Sequence, residues 1–432
     1  MTLNKDDYFI NLLKKEVVPA LGCTEPIAVA LASAKSAETL GVIPHKIEVI
    51  VSPNILKNGM GVGIPGTGMI GLHIASALGA LGGKSSKLLE VLSSITPENI
   101  EDAKTFVKEN RITVKSEQTN SKLYVKVSCF SEFDKCTTII ENSHANIVSV
   151  TLNDKEILNR NSQPIAKDNS FKDSNKDSIT HTTIDEIYDF AVNAPLEKID
   201  FILEGAKMNK AIALEGLSKD YGLKVGKTLN LQMSKNILSK DMQNQAIALT
   251  AAACDARMAG CMMPVMSNSG SGNQGITVMM PVISTYEFLH CSEEKLCRAL
   301  VIANLVAIHI KSYLGKLSAL CGCVVASSGA SAGIVYLMDG NLDNIKYSIK
   351  NMAGNIVGMI CDGAKTGCAL KVATGVSAAV QSAFLAMNNI EISSNDGIID
   401  SDVEKTIENL AKIGTEGMNK TDELILNIMT CK

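Results

Sequence analysis

The run Leu300-Val-Ile-Ala-Asn-Leu-Val-Ala-Ile-His-Ile310 is apolar on nearly every side of a helix. A helix with no polar face has to be surrounded by other helices. Runs of this kind recur from about residue 181 almost to the C-terminus, which predicts a large helical bundle. One stretch, residues 317–338, holds no charged side chain and is long enough to span a bilayer. Its middle, Ser327-Ser-Gly-Ala-Ser331, suits lipid poorly, so it reads as a buried core helix.

Ahead of the bundle the pattern changes. Helices are expected over 6–17 and 25–40, with Pro26 in the first turn of the second and Gly41 and Pro44 at its stop. Lys46-Ile-Glu-Val-Ile-Val-Ser52 alternates as a strand does, and residues 111–153 alternate repeatedly, as in Ser121-Lys-Leu-Tyr-Val-Lys-Val-Ser128. The expected class is α+β. Residues 1–45 form helices packed on the bundle, and 46–155 form a smaller α+β unit with an antiparallel sheet. Residues 156–180 form a polar linker or surface loop, and 181–432 form the helical domain.

A formal net charge of -4 and aromatics at 4% give no sign of a nucleic-acid surface. Twelve cysteines at irregular spacing, behind a charged N-terminus, predict a reduced, cytoplasmic protein rather than a disulfide scaffold. The excess of apolar helix surface makes a homodimer the expected assembly.

Three features could carry chemistry. Cys321, in Cys321-Gly-Cys323, and Cys361 and Cys368, in Cys361-Asp-Gly-Ala-Lys-Thr-Gly-Cys368, sit in Gly- and Ala-rich turns between helices. Three thiolates meeting at one point suit an iron–sulfur cluster with one iron left open, and zinc is the rival. Cys23, in Pro19-Ala-Leu-Gly-Cys-Thr-Glu-Pro26, stands just ahead of a helix start, where thiolate character is promoted. Ser267 to Gly275 is a loop of small polar residues and glycines, an expected anion cradle, with Arg257 nearby to grip a carboxylate. Gly61-Val-Gly-Ile-Pro-Gly66 matches a dinucleotide fingerprint, but Pro65 interrupts it and no acidic strand end follows at the usual distance.

The Pro19–Pro26 motif, the Arg257–Gly275 run and the cysteine arrangement together resemble the iron–sulfur L-cysteine desulfidase family, and more distantly the iron–sulfur L-serine dehydratases. The resemblance implies a [4Fe–4S] cluster on Cys321, Cys361 and Cys368, with Cys323 as the alternative to the first. It implies a lyase independent of pyridoxal phosphate that converts L-cysteine and water to sulfide, ammonia and pyruvate. Cys23 would be the base or a further cluster ligand. Arg257, Asn268, Ser269, Ser271, Asn273 and Gln274 would hold the substrate, with Lys57 and Asn58 closing the site. L-serine dehydration, or cysteine sensing without turnover, are the competing readings.

Overall fold

The structure is a computed structural model describing residues 5–119, 121–160, 182–315 and 318–431. It is a mostly helical α+β fold. Strand β1 (Pro19–Ala20) pairs antiparallel with β8 (Val265–Met266), far away in sequence. The smaller unit is built on a six-stranded sheet in the order β3-β2-β4-β5-β6-β7, from β2 (Lys46–Val51), β3 (Ile112–Ser116), β4 (Tyr124–Phe130), β5 (Lys135–Glu141), β6 (Ile147–Leu152) and β7 (Lys155–Asn159). Alternation in β2 buries Ile47, Val49 and Val51 on one face, as the pattern requires.

The expected antiparallel sheet is in fact mixed. Strand β3 runs parallel to β2, with Ile47 opposite Ile112. The helices Pro53–Gly59, Leu72–Gly82 and Pro97–Lys108 return the chain between them, as a parallel pair demands. The sheet also reaches into the stretch read as a linker over 156–180. Asn153 and Asp154 both take positive φ (47° and 66°), forming a two-residue turn that sends β7 back along β6. Residues 161–181 lie outside the described residues.

The two opening helices do not pack together on the bundle. Lys5–Glu16 does, through Phe9 and Leu13. Thr24–Leu40 instead buries Ile27, Leu31 and Leu40 in the core of the sheet unit. Its serines are satisfied there: Ser33 Oγ lies 2.9 Å from Ser76 Oγ on Leu72–Gly82, and Ser36 Oγ donates to Thr138 Oγ1 of β5 at 2.8 Å. The two helices nearly touch, since a Cβ on Gly79 would lie 2.2 Å from the Ala30 carbonyl oxygen.

The bundle is packed in the same way. Gly322–Leu337 is a buried core helix lying against Glu293–Leu314, where a Cβ on Gly329 would sit 2.3 Å from the Ala303 oxygen. Glu293–Leu314 and Cys368–Met387 are long and apolar enough to cross a membrane, but the first is mostly enclosed by protein and the second about half so.

Gly79→Ala should therefore lower stability by about 1–3 kcal/mol through overpacking. Gly41→Ala meets no atom within 4 Å, so it should cost only the roughly 1–2 kcal/mol of its left-handed backbone. Thermal melting followed by far-UV circular dichroism compares the two.

Candidate active site

An isolated antiparallel bridge between Leu320 and Ile360 brings two of the three singled-out cysteines together. Cys321 N donates to Met359 O at 2.9 Å, and Cys361 N donates to Ala319 O at 2.7 Å, so the two cysteines flank the bridge. Gly322–Leu337 starts immediately after Cys321, and Cys368 is the first residue of Cys368–Met387. Gly363, at φ 88°, lets the loop between Cys361 and Cys368 turn against the Lys57 carbonyl, where a Cβ would come within 2.2 Å. Asp362 pairs with both Lys365 and Lys371, and Lys371 Nζ also donates to Ile360 O at 2.7 Å.

These thiols sense one another. Burial, then the neighbouring Cys323 and Cys361, push the Cys321 thiol well up. Burial and Cys361 raise Cys368, against the pull of Lys371 and Lys365. Burial lowers the Lys311 ammonium, whose charge the nearby Cys361 and Cys321 would favour. Cys323 is different: its Sγ lies between two helices, donating to Lys371 O at 3.2 Å and lying 3.6 Å from Ser327 Oγ. Among the described residues no three His, Cys, Asp or Glu side chains lie close enough to hold a single metal ion. A cluster makes a looser demand, because each thiolate binds a different iron.

The Gly- and Ser-rich loop is a tight structure rather than an open cradle. Ser269 (φ 49°) and Gly270 (φ 78°) form a two-residue turn closed by reciprocal bonds between Asn268 and Ser271. Its amides are largely consumed: Ser267 N bonds Val18 O, Ser269 N bonds Glu16 O, Gln274 N bonds Ser271 Oγ and Gly275 N bonds Ser271 O. The loop is thereby tied to the segment leading into Cys23, next to the β1–β8 pair. Asn268 is fully buried, donating to Asn304 Oδ1 at 3.0 Å and accepting from Ser269 Oγ and from Gln274 Nε2. Gln274 Oε1 in turn reaches Gly322, beside Cys321.

Arg257, near the end of Met242–Met258, is only 4% exposed. Its Nη1 donates to Asn273 Oδ1 at 2.9 Å and its Nη2 to Gly22 O at 2.8 Å, while its buried Nε has no partner. No carboxylate pairs with it among the described residues. Asp255 faces the other way, accepting from Gly226 N at 3.1 Å, and burial raises its pKa to about 6. A buried guanidinium without a counter-ion is a strong demand for an anion.

Cys23 is buried at the start of Thr24–Leu40. The expected thiolate character is reversed there. Burial, then the Glu25 carboxylate, push its thiol far up against the weaker pull of Arg257. Cys23 Sγ donates to Glu25 Oε2 at 3.1 Å, and Asn58 Nδ2 donates to Glu25 Oε1 at 3.1 Å. Burial alone would raise the Glu25 carboxyl, but His144 and the hydrogen bond from Cys23 outweigh it and hold it below the usual range. Glu25 and His144 escaped the sequence reading. A glutamate in an otherwise apolar helix start was the available signal, whereas nothing near His144 marks it.

The fold thus gathers Cys23, Arg257 and Asn273 in one place, and Gln274, bonded to Asn268, lies against Gly322 next to Cys321. Lys57 is not free to meet a ligand, since its buried ammonium pairs with Asp422 at 2.5 Å. The Gly61–Gly66 loop is packing against a helix end: Gly63 N bonds Met258 O and Gly66 N bonds Gly260 O.

A family model described as serine dehydratase alpha chain matches residues 86–427. A UPF0597 protein of Bacteroides fragilis is 50% identical over 433 residues, covering all of both chains. UPF0597 proteins of Bacteroides thetaiotaomicron (49% identical, 98% of this chain and 97% of the relative) and Clostridium perfringens (47%, 98% of each) are similar along their length. The matched segment begins after Cys23, Lys57 and Asn58, while the full-length relatives span all three.

Arg257→Lys keeps the charge but not the planar fork that serves Asn273 and Gly22 together. Its expected cost is about 1–3 kcal/mol, read as a lowered melting temperature.

Proposed function

The chain belongs to the serine dehydratase alpha chain family, and on that premise we propose that it is an iron–sulfur lyase acting on a small amino acid, L-cysteine, to give sulfide, ammonia and pyruvate. The observation that carries this reading is Arg257, a buried cation with no acid partner among the described residues, one hydrogen bond from the residue that precedes Cys23. A substrate carboxylate is the counter-ion it lacks.

The donor set fits the cluster. Cys321, Cys361 and Cys368 offer three thiols on neighbouring turns, and Lys311 and Lys371 lie close enough to balance thiolate charge. Cys323, committed to helix packing, supports Cys321 as the ligand of that pair. When bound, a [4Fe–4S] cluster held by three thiolates supplies a Lewis-acidic iron.

The chain's own residues do the rest. The Arg257 fork orients the amino acid through its carboxylate, and Asn273 fixes the guanidinium. Ser269, Asn268 and Gln274 form one hydrogen-bonded chain that sets the edge of the site beside Cys321. Ser271 caps the Gly272–Leu289 helix, whose first turn favours negative charge. Cys23 Sγ holds the proton removed from Cα. Asn58 steadies Glu25, and the Lys57–Asp422 pair helps close the site from the sheet side.

L-serine is the second reading, favoured by the name of the matched family; Arg257 would serve its carboxylate equally. We place the protein in the cytoplasm as a homodimer, away from nucleic acid and membranes. All twelve cysteines are free, and Leu370, Phe384 and Leu385 give the Cys368–Met387 helix an outward apolar face for a second copy.

The test is sulfide and pyruvate release from L-cysteine by anaerobically purified, cluster-reconstituted protein, with L-serine in parallel. Equal amounts of both products are expected, only when iron is bound. Cys321→Ala, Cys361→Ala and Cys368→Ala should each lose iron and turnover, whereas Cys323→Ala should keep its iron. A clear preference for serine would reassign the substrate. Iron-loaded protein that binds cysteine but releases product from neither cysteine nor serine would reject the lyase.

A further inference from the structure

Glu25 has no part in the chemistry described so far, yet it is the buried carboxylate hydrogen-bonded to Cys23. It is 8% exposed, and four groups converge on it: Cys23 Sγ at 3.1 Å, Thr24 Oγ1 at 3.2 Å, Asn58 Nδ2 at 3.1 Å and the charge of His144 from the turn between β5 and β6. Burying a carboxylate is costly, and no lysine or arginine pairs with it among the described residues. Its surroundings keep it ionised, and one of its two nearest donors, each at 3.1 Å, is the thiol of the residue assigned to take a proton.

That thiol has a difficulty as a base. A protonated sulfur has no lone pair basic enough to remove a proton from carbon, and the start of the helix does not ionise it. It needs somewhere to send its own proton, and Glu25 Oε2 is at hydrogen-bond distance. We propose that Glu25 is the positioning residue and proton acceptor for Cys23: as Sγ takes the Cα proton, the thiol proton passes to Glu25 Oε2.

The step balances. The Cα–H bond breaks and a new S–H bond forms at Cys23, while the old S–H bond breaks and an O–H bond forms at Glu25. The electron pair from Cα–H becomes the Cα–Cβ double bond, and the Cβ–S pair leaves with the sulfide. Glu25 is neutral afterwards and returns its proton through Cys23 when product departs. The charged groups facing this pair are Arg257 on Met242–Met258 and His144 on the sheet unit, and the Cys254 thiol shares its apolar packing. The relay rests on the lyase reading, since it names the base of that reaction.

The test compares wild type, Glu25→Gln and Glu25→Asp, each cluster-loaded with its iron measured, across pH. Wild type should be flat through neutrality, because Glu25 is already ionised. Glu25→Gln should lose at least about tenfold at pH 7 and recover about tenfold per pH unit as Cys23 itself ionises. Glu25→Asp, which retains the charge, should keep the wild-type profile at a lower rate. A Glu25→Gln rate equal to wild type, or lowered by one constant factor at every pH, overturns the relay.

A second measurement needs no turnover: alkylation of Cys23 by iodoacetamide, followed by mass spectrometry of its peptide as pH is raised. Removing the Glu25 charge should move the midpoint of this reaction downward. An unmoved midpoint overturns the pairing. A shifted midpoint in a protein inactive on cysteine and serine supports the pairing and strikes only the lyase reading.

Discussion

Backbone contact between helices is the constraint on which this structure depends. A Cβ on Gly216 would lie 2.1 Å from the Ala252 carbonyl oxygen, and one on Gly226 would lie 2.3 Å from that of Ala248. The Gly329–Ala303 contact repeats the arrangement deeper in the bundle. Helices locked this closely have no freedom to slide, because interiors at crystal-like density transmit rather than absorb a shift. The site lies at their ends: Arg257 near the close of Met242–Met258, and Cys321 and Cys368 at the openings of Gly322–Leu337 and Cys368–Met387. Fixing the helices therefore fixes the spacing of the chemistry.

The charges at those ends are arranged for anions. The Gly272–Leu289, Gly322–Leu337 and Cys368–Met387 helices all begin at the site, and helix openings carry partial positive charge. Arg257 adds a full charge that no acid among the described residues neutralises, and Lys311 and Lys371 stand beside the cysteine turns. Glu25 is the exception, and it is walled off by Asn58, Thr24 and His144 rather than presented to a ligand. A site with positive helix openings and a buried guanidinium favours a bound anion.

Both units contribute. The bundle supplies Arg257, the Asn268–Gln274 network and the three cysteines. The sheet unit supplies Asn58 and His144, and its Lys57 carbonyl seats the Cys361–Cys368 loop at Gly363. The Thr24–Leu40 helix joins them, with Cys23 at its start facing the bundle and its apolar length in the sheet core.

Local periodicity and composition were enough to determine the α+β class, the buried Gly322–Leu337 helix, strands β2 to β6 and the placement of the three cysteines on turns, since each follows from residues within one or two turns of chain. Tertiary structure decided whatever depends on which distant segments meet. The Thr24–Leu40 helix joins the sheet unit, where its apolar face is buried, Ser36 finds Thr138 of β5 and Ser33 finds Ser76 of Leu72–Gly82, and β3 lies parallel to β2 because three helices return the chain. Strand β7 hid in a polar stretch whose Asn153–Asp154 turn signal is only two residues long. Ser267–Gly275 looked like an open cradle because composition does not reveal that Val18 and Glu16 would take its amides. The Cys23 thiolate was read from a helix start, a local cue that burial and the Glu25 charge override. The Lys57–Asp422 pair, the Asn58–Glu25 hydrogen bond and the pull of His144 on Glu25 join residues far apart in sequence, and only the lone glutamate at an apolar helix start hints at any of them.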